Sequence, residues 1–191
     1  MNLRPHQQIG LDALAKYNKG QVIVPTGGGK TLIAIKDAMR RFESGFTTIV
    51  VVAPRILLAQ QLSSEFLEAI ESQFCDRVNV MHVHSGETHH YSSTNSHKIR
   101  VWNNNTIGYR MIFTTYHSLH KIQEADIVID TIYFDEAHNA IQKNFIEAVE
   151  YFSMYADRAY FFTATPKHST TPMKIGMNDS DIFGNVICNV P

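Results

Sequence analysis

Residues 25–31, "PTGGGKT", have the composition of a phosphate cradle. Gly27, Gly28 and Gly29 can take positive φ and turn backbone N–H groups inward around an anion. Thr26 leads into the glycines. A helix starting near Lys30 would add the positive end of its dipole. Lys30 would reach β- and γ-phosphates, and Thr31 would place a hydroxyl on Mg²⁺. The strict G-x-x-x-x-G-K-[ST] pattern is not met, because its first position is Val24. That position ends a strand and would not touch phosphate. The plain alternative is a glycine turn between a strand and a helix.

A second chemical pair lies in "IYFDEAH" (132–138), where Asp135 and Glu136 follow an apolar run. In a parallel sheet the strand C-termini share one edge, where ligands bind. Asp135 would lie across from Thr31 and hold Mg²⁺ through oxygen. Glu136 would orient and deprotonate an attacking water. Either residue alone could instead be an acidic cap of a following helix. His138 could couple the nucleotide site to neighbouring segments, or be a satisfied, partly buried histidine. His82, His84, His89, His90 and His97 form a second cluster. An H-x-H in a strand puts both rings on one face, but the others follow no structural-zinc spacing.

Positioning these groups requires a layered fold. Short apolar, β-branched runs alternate with helical patterns. The runs are "QVIV" (21–24), "FTTIVVVA" (46–53), "RVNVMHVH" (77–84), "RMIFTT" (110–115), "TIYFDE" (131–136) and "RAYFFTATP" (158–166). A helix pattern spans Lys30 to about Glu43. Others are marked by Leu58, Leu62, Phe66 and Ile70, and by Ile141, Phe145, Ile146, Val149 and Phe152. Near-continuous apolar strands separated by helices predict a mainly parallel sheet with helices on both faces, an α/β fold. The polar stretch 85–109 reads as a surface insertion, with an edge strand around Lys98–Trp102. After Pro166 no periodic signal returns until "DIFGNVICNV" (181–190).

The 191 residues suffice for one domain with a substantial core. A formal net charge of -1 gives no global basic field, so a nucleic-acid partner would need a local patch. Cys75 and Cys188 lack metal-ligand spacing and read as free thiols in a reducing, intracellular compartment. No signal-peptide core or transmembrane run is present, so no membrane role is expected.

Six segments then occur in a telling order: "LRPHQ" (3–7), "PTGGGKT", "VVAPRILLAQQ" (51–61), "TTYHSL" (114–119), "DEAH" (135–138) and "TATP" (163–166). The set resembles the first RecA-like, P-loop domain of superfamily-two helicases and translocases. The branch it looks nearest to includes type III restriction helicase subunits and similar viral and repair DNA helicases. The resemblance covers about residues 2–166. It implies that Gln7 recognises adenine of ATP, since a side-chain amide can pair with N6 and N7. Arg4 would support Gln7 or pack near the base. Thr163 and Thr165 would link the nucleotide site to domain movement. Pro54, Arg55, Thr114 and Thr115 would contact nucleic-acid phosphates without reading sequence. Ser85 and Gly86 could add a backbone contact or simply shape a turn. The likeness favours DNA over RNA; phosphate contacts do not report the sugar.

Family members close ATP between two RecA-like domains, and the second supplies arginines to the γ-phosphate. Only 25 residues follow Pro166 here, with no arginine among them. The expectation is a domain spanning 1–166, a linker over 167–191 toward a second domain, and slow ATP hydrolysis by this chain alone. Competing expectations are a restriction-endonuclease motor subunit, an RNA helicase, a regulatory nucleic-acid-binding ATPase module and a non-helicase P-loop ATPase. The last is disfavoured by Gln7 and "TATP".

Overall fold

The computed structural model describes residues 2–74 and 78–191, so Cys75 lies outside the described residues. Chain order begins with α1 (Pro5–Lys16), β1 (Lys19–Ile23), α2 (Lys30–Glu43), β2 (Thr48–Ala53) and α3 (Ile56–Phe74). It continues with β3 (Val78–Val83), β4 (Tyr91–Ser92), α4 (Ser96–Asn105), β5 (Tyr109–Thr115) and α5 (Leu119–Ala125). Then come β6 (Thr131–Phe134), a 3₁₀ turn (Ala137–Asn139), α6 (Ile146–Tyr155), β7 (Arg158–Thr163), α7 (Ser180–Phe183) and β8 (Val186–Asn189). The strands form one parallel sheet in the order β4-β3-β5-β2-β6-β7-β1-β8.

Every residue of β2 is buried, because helices cover both faces of the sheet. Ile49, Val51 and Ala53 point into a core with α1, α2 and α3. Val50 and Val52 point into a second core with α4, α5, α6 and α7. The alternation follows from the two-residue period of a strand. Helix α3 buries Ala59, Leu62, Phe66 and Ile70 along one stripe. Burying Phe66, which is 1% exposed, contributes roughly 1.5–3 kcal/mol.

Two sequence expectations are corrected in kind and one at a boundary. Residues 98–102 are helical within α4, not an edge strand. Asn95 caps that helix by accepting a bond from the Lys98 N–H at 3.0 Å, and Ile99, Trp102 and Asn103 turn inward at helical spacing. The sheet edge is formed by the two-residue β4, which pairs with β3 at Met81 and His82. The other correction concerns residues after Pro166. They do not leave the folded body: β8 pairs with β1, and Ile182 and Phe183 are buried. Gln21 anchors this return by donating to the Met177 carbonyl at 2.7 Å and the Gly184 carbonyl at 2.9 Å. The predicted helix around Ile141–Phe152 starts only at Ile146.

Candidate functional site

All strands run in one direction, so their C-terminal ends form a single edge. Across that edge the order of β3, β5, β2, β6, β7 and β1 places two sets of segments side by side. The ends of β3, β5 and β2 carry Ser85–Gly86, Thr114–Thr115 and Pro54–Arg55. The ends of β6, β7 and β1 carry Asp135–Glu136, Thr163–Thr165 and the glycine loop.

Val24, buried, passes the chain from β1 into the loop, with its N–H bonded to the Thr163 carbonyl at 3.1 Å. Gly27 has φ 80° and Gly29 φ 78°, and Gly29 is the first cap of α2. At Gly28 a Cβ would meet the Val24 side chain at 2.5 Å and the Pro25 carbonyl at 2.9 Å. At Gly29 it would meet the Gln7 amide nitrogen at 2.2 Å, whereas at Gly27 nothing lies within 4 Å. The loop thus needs glycine for φ at Gly27 and Gly29 and for space at Gly28 and Gly29, while staying open at its tip. Gln7 is buried; its amide donates to the Gly29 carbonyl at 3.2 Å and accepts from the Arg4 N–H at 2.8 Å. The amide expected to read adenine is therefore occupied in bracing the loop against the start of α1. His6, which the motif spacing does not single out, contacts the Gly28 carbonyl at 2.7 Å. It lies in the "LRPHQ" segment, one place before Gln7.

Lys30 reaches across the edge to the carboxylates. Its ammonium bonds to Glu136 Oε1 and lies 3.8 Å from Asp135 Oδ1. Thr31 and Asp135 line the same small cleft as Lys30. Burial pushes the Asp135 carboxyl up to about 6, opposed by Lys30 and reinforced by Glu136. Two carboxylates thus share one ammonium in a confined space. The chemistry of Thr31 and Asp135 would suit a divalent cation, with Lys30 then free of the carboxylates. A groove lined by Gln7, Gly29, Thr31, Leu32 and Glu65 continues from the loop between α2 and α3.

Glu136 has φ 46°, a left-handed conformation that costs a non-glycine residue roughly 1–2 kcal/mol. It occupies the cap position of the 3₁₀ turn but makes no side-chain cap bond. The capping alternative therefore does not account for its carboxylate. Asn139 holds the twist by donating to the Glu136 carbonyl at 2.9 Å. His138 Nδ1 lies 2.9 Å from Thr163 Oγ1 and 3.6 Å from Glu136 Oε2. Thr163 Oγ1 accepts the Thr165 N–H at 3.1 Å, which leaves its own proton free to donate to His138. Burial lowers the His138 pKa, in keeping with a neutral accepting ring. The three coupling candidates, His138, Thr163 and Thr165, thus form one hydrogen-bonded group beside Glu136.

The other half of the edge is less uniform. Arg55 and Ser85 are exposed, and Pro54 and Gly86 are partly so. Thr114 and Thr115 are 0% and 4% exposed. The Thr114 hydroxyl donates to the Val83 carbonyl at 2.8 Å, and the Thr115 hydroxyl accepts the Ser118 N–H at 3.3 Å. Their side chains shape the segment instead of facing an external phosphate. His82 is buried, with Nε2 2.9 Å from Ser63 Oγ and Nδ1 3.0 Å from His84 Nε2. His84 Nδ1 in turn accepts the Gly86 N–H at 3.1 Å. Both His82 nitrogens are spent inside the protein. Among the described residues no three His, Cys, Asp or Glu side chains are arranged to hold a metal ion.

The profile of the family described as "Type III restriction enzyme, res subunit" matches residues 1–168. Comparison with curated proteins gives no match. Among solved structures, a nuclease-deletion mutant of the Type ISP restriction-modification enzyme LlaGI, in complex with a DNA substrate mimic, is similar at TM-score 0.78 and 24% identity, over 100% of this chain and 20% of that one. The Hef helicase domain of Pyrococcus furiosus is similar at TM-score 0.66 and 21% identity, over 96% of this chain and 37% of that one. The SWI2/SNF2 ATPase core of Sulfolobus solfataricus, in complex with dsDNA, is similar at TM-score 0.63 and 21% identity, over 87% and 32%. These likenesses establish the RecA-like helicase fold; the chain spans well under half of each of those proteins.

Proposed function

The chain belongs to the type III restriction enzyme res-subunit family, and from that premise we propose that it is the ATP-binding half of a DNA translocase or helicase motor. One observation carries the reading: Lys30, Asp135 and Glu136 converge at the open end of a glycine loop, next to a second set of segments on the same sheet edge. The loop from Thr26 to Gly29 would hold the phosphates of ATP. Lys30 would leave the carboxylates for the β- and γ-phosphates. Thr31 and Asp135 would hold Mg²⁺, which supplies charge neutralisation when bound. Glu136 would take a proton from the attacking water. Gln7 and Arg4 would meet the base only by exchanging the bonds that now brace the loop. Arg55, Pro54, Ser85 and Gly86 would meet the nucleic-acid backbone, while Thr114 and Thr115 set the shape of the neighbouring segment. DNA is favoured as the partner because two of the similar structures are described with DNA or a mimic of it. An intracellular setting, where ATP is present, follows from the same reading.

A second RecA-like domain would supply arginines to the γ-phosphate. The 191-residue chain by itself should bind magnesium nucleotide weakly and turn it over very slowly; rapid nucleic-acid-stimulated turnover by this chain alone would overturn that. In the full-length protein Lys30→Ala and Glu136→Gln should each lower ATP hydrolysis by about 100-fold or more, read as phosphate release. Normal turnover in either variant would sink the role assigned to that residue. The family match and the restriction enzyme among the similar structures favour a second reading, a motor that serves a nuclease. ATP-dependent cleavage of DNA by the full-length protein separates it from a motor without nuclease.

A further inference from the structure

Tyr116 sits in the segment after β5, on the nucleic-acid side of the edge, yet its side chain ends in the nucleotide half. It is 1% exposed. Its hydroxyl donates to the Asp135 carbonyl at 2.7 Å. That carbonyl belongs to the peptide joining the metal-holding carboxylate to Glu136. Rotation of this peptide therefore turns both catalytic side chains, and Glu136 is already held at a strained φ of 46°. In the sheet, β5 and β6 are not neighbours; β2 lies between them. The phenol spans that strand. Both ends of the span hang from β2, since the Tyr116 N–H bonds to the Ala53 carbonyl at 3.1 Å and the Asp135 N–H to the Val52 carbonyl at 2.8 Å.

The ring has little freedom to absorb a displacement. It stacks with Phe134, at 6.1 Å and 23°, and with Phe145, at 5.9 Å and 28°. Phe145 precedes α6, on the far side of the 3₁₀ turn that follows Glu136. The next residue, His117, is exposed and meets the Phe145 ring edge at 6.4 Å. Adjacent residues of one turn thus face solvent and the catalytic peptide. Burial and the nearby carboxylates push the Tyr116 pKa well above its ordinary value, so the hydroxyl keeps its proton to donate.

We infer that Tyr116 is a positioning residue that transmits nucleic-acid contact at the end of β5 to the Asp135–Glu136 peptide. The link is distinct from the His138–Thr163–Thr165 group, which approaches Glu136 from β7. It rests on the motor reading above. The test uses the full-length protein carrying Tyr116→Phe, which keeps the stacked ring and removes the donor. ATP turnover is measured with and without saturating duplex and single-stranded DNA, and DNA affinity by fluorescence anisotropy. The ratio of DNA-stimulated to basal turnover should fall about five- to tenfold, the scale of one lost hydrogen bond in a buried site. DNA affinity should stay within about twofold, since the hydroxyl does not face solvent. An unchanged stimulation ratio, or a drop accounted for wholly by lost DNA affinity, overturns the link. Wild-type protein whose hydrolysis ignores both DNAs overturns the motor reading itself, and so separates the two failures.

Discussion

Asp37 stands in α2 among residues that read as an ordinary amphipathic helix, yet it is 1% exposed. Arg158 donates to its Oδ1 at 2.8 Å, Arg40 donates to the same oxygen at 3.1 Å, and the Tyr133 hydroxyl donates to Oδ2. Arg158 is itself buried and also donates to the Leu14 carbonyl at 2.9 Å and to Thr131 Oγ1 at 3.1 Å. The cluster pins α1 and α2 to β6 and β7, opposite the nucleotide edge. Asp37→Ala would strand the guanidinium and should cost roughly 3–5 kcal/mol, while Asp37→Asn should cost less. Equilibrium urea unfolding compares them, and equal midpoints for Asp37→Ala and wild type would remove the network from the stability account. Nothing in the sequence marks Asp37, because its buried partners, Tyr133 and Arg158, come from strands more than 90 positions away. The loop glycines, Lys30 and the carboxylate pair were legible because local spacing fixes what they can do. The resemblance sets Thr114 and Thr115 against nucleic-acid phosphates, but it carries no sign of the Val83 carbonyl and the Ser118 N–H that turn their hydroxyls inward.

At the scale of elements, β-strands buried on both faces announced themselves as apolar runs, and six of them were placed within a few residues. Helix α4 was not, because Ile99, Val101 and Trp102 suit a strand by type while their neighbours are spaced for a helix. The Asn95 cap was the available signal. Strand β4 has two residues and carries no pattern of its own. Strand β3 brings a consequence for pH. His82 is pushed down to about 3, chiefly by burial and then by His90, His84 and His89. His90 stacks on it at 4.9 Å. The unfolded chain takes up a proton near the ordinary value of 6.5 while the folded one does not. This contribution to stability is therefore intact above 6.5 and is lost as pH falls toward 3. By pH 4.5 the loss should be roughly 2 kcal/mol. His82→Gln should show a flatter decline between pH 6.5 and 4.5 in urea midpoints; a slope equal to wild type would refute the assignment.

Seen whole, the molecule is one sheet whose two faces have separate cores and whose C-terminal edge gathers the candidate site. Alternating strand and helix patterns were enough to expect this plan, but not to order the strands. Order depends on which strands pair across long sequence separations, and β8 beside β1 is the clearest instance. Removing residues 179–191 should expose the β1 edge and the sites that Ile182, Phe183 and Cys188 bury. We expect a melting temperature lower by roughly 10 °C or more, or aggregation, in thermal scans. A truncated chain that melts with the full one would show that β8 is dispensable.

The same arrangement bears on synthesis. Strand β1, which leads into the glycine loop, leaves the ribosome well before its two neighbours in the sheet, β7 and β8. At about 5–20 residues per second, on the order of ten seconds pass before β7 can pair with β1. During that interval the loop-bearing strand has no partner of its own in the chain. The glycine loop is thus made well before the strands that lock it in place, and a pause after β7 should matter more to folding yield than one before it.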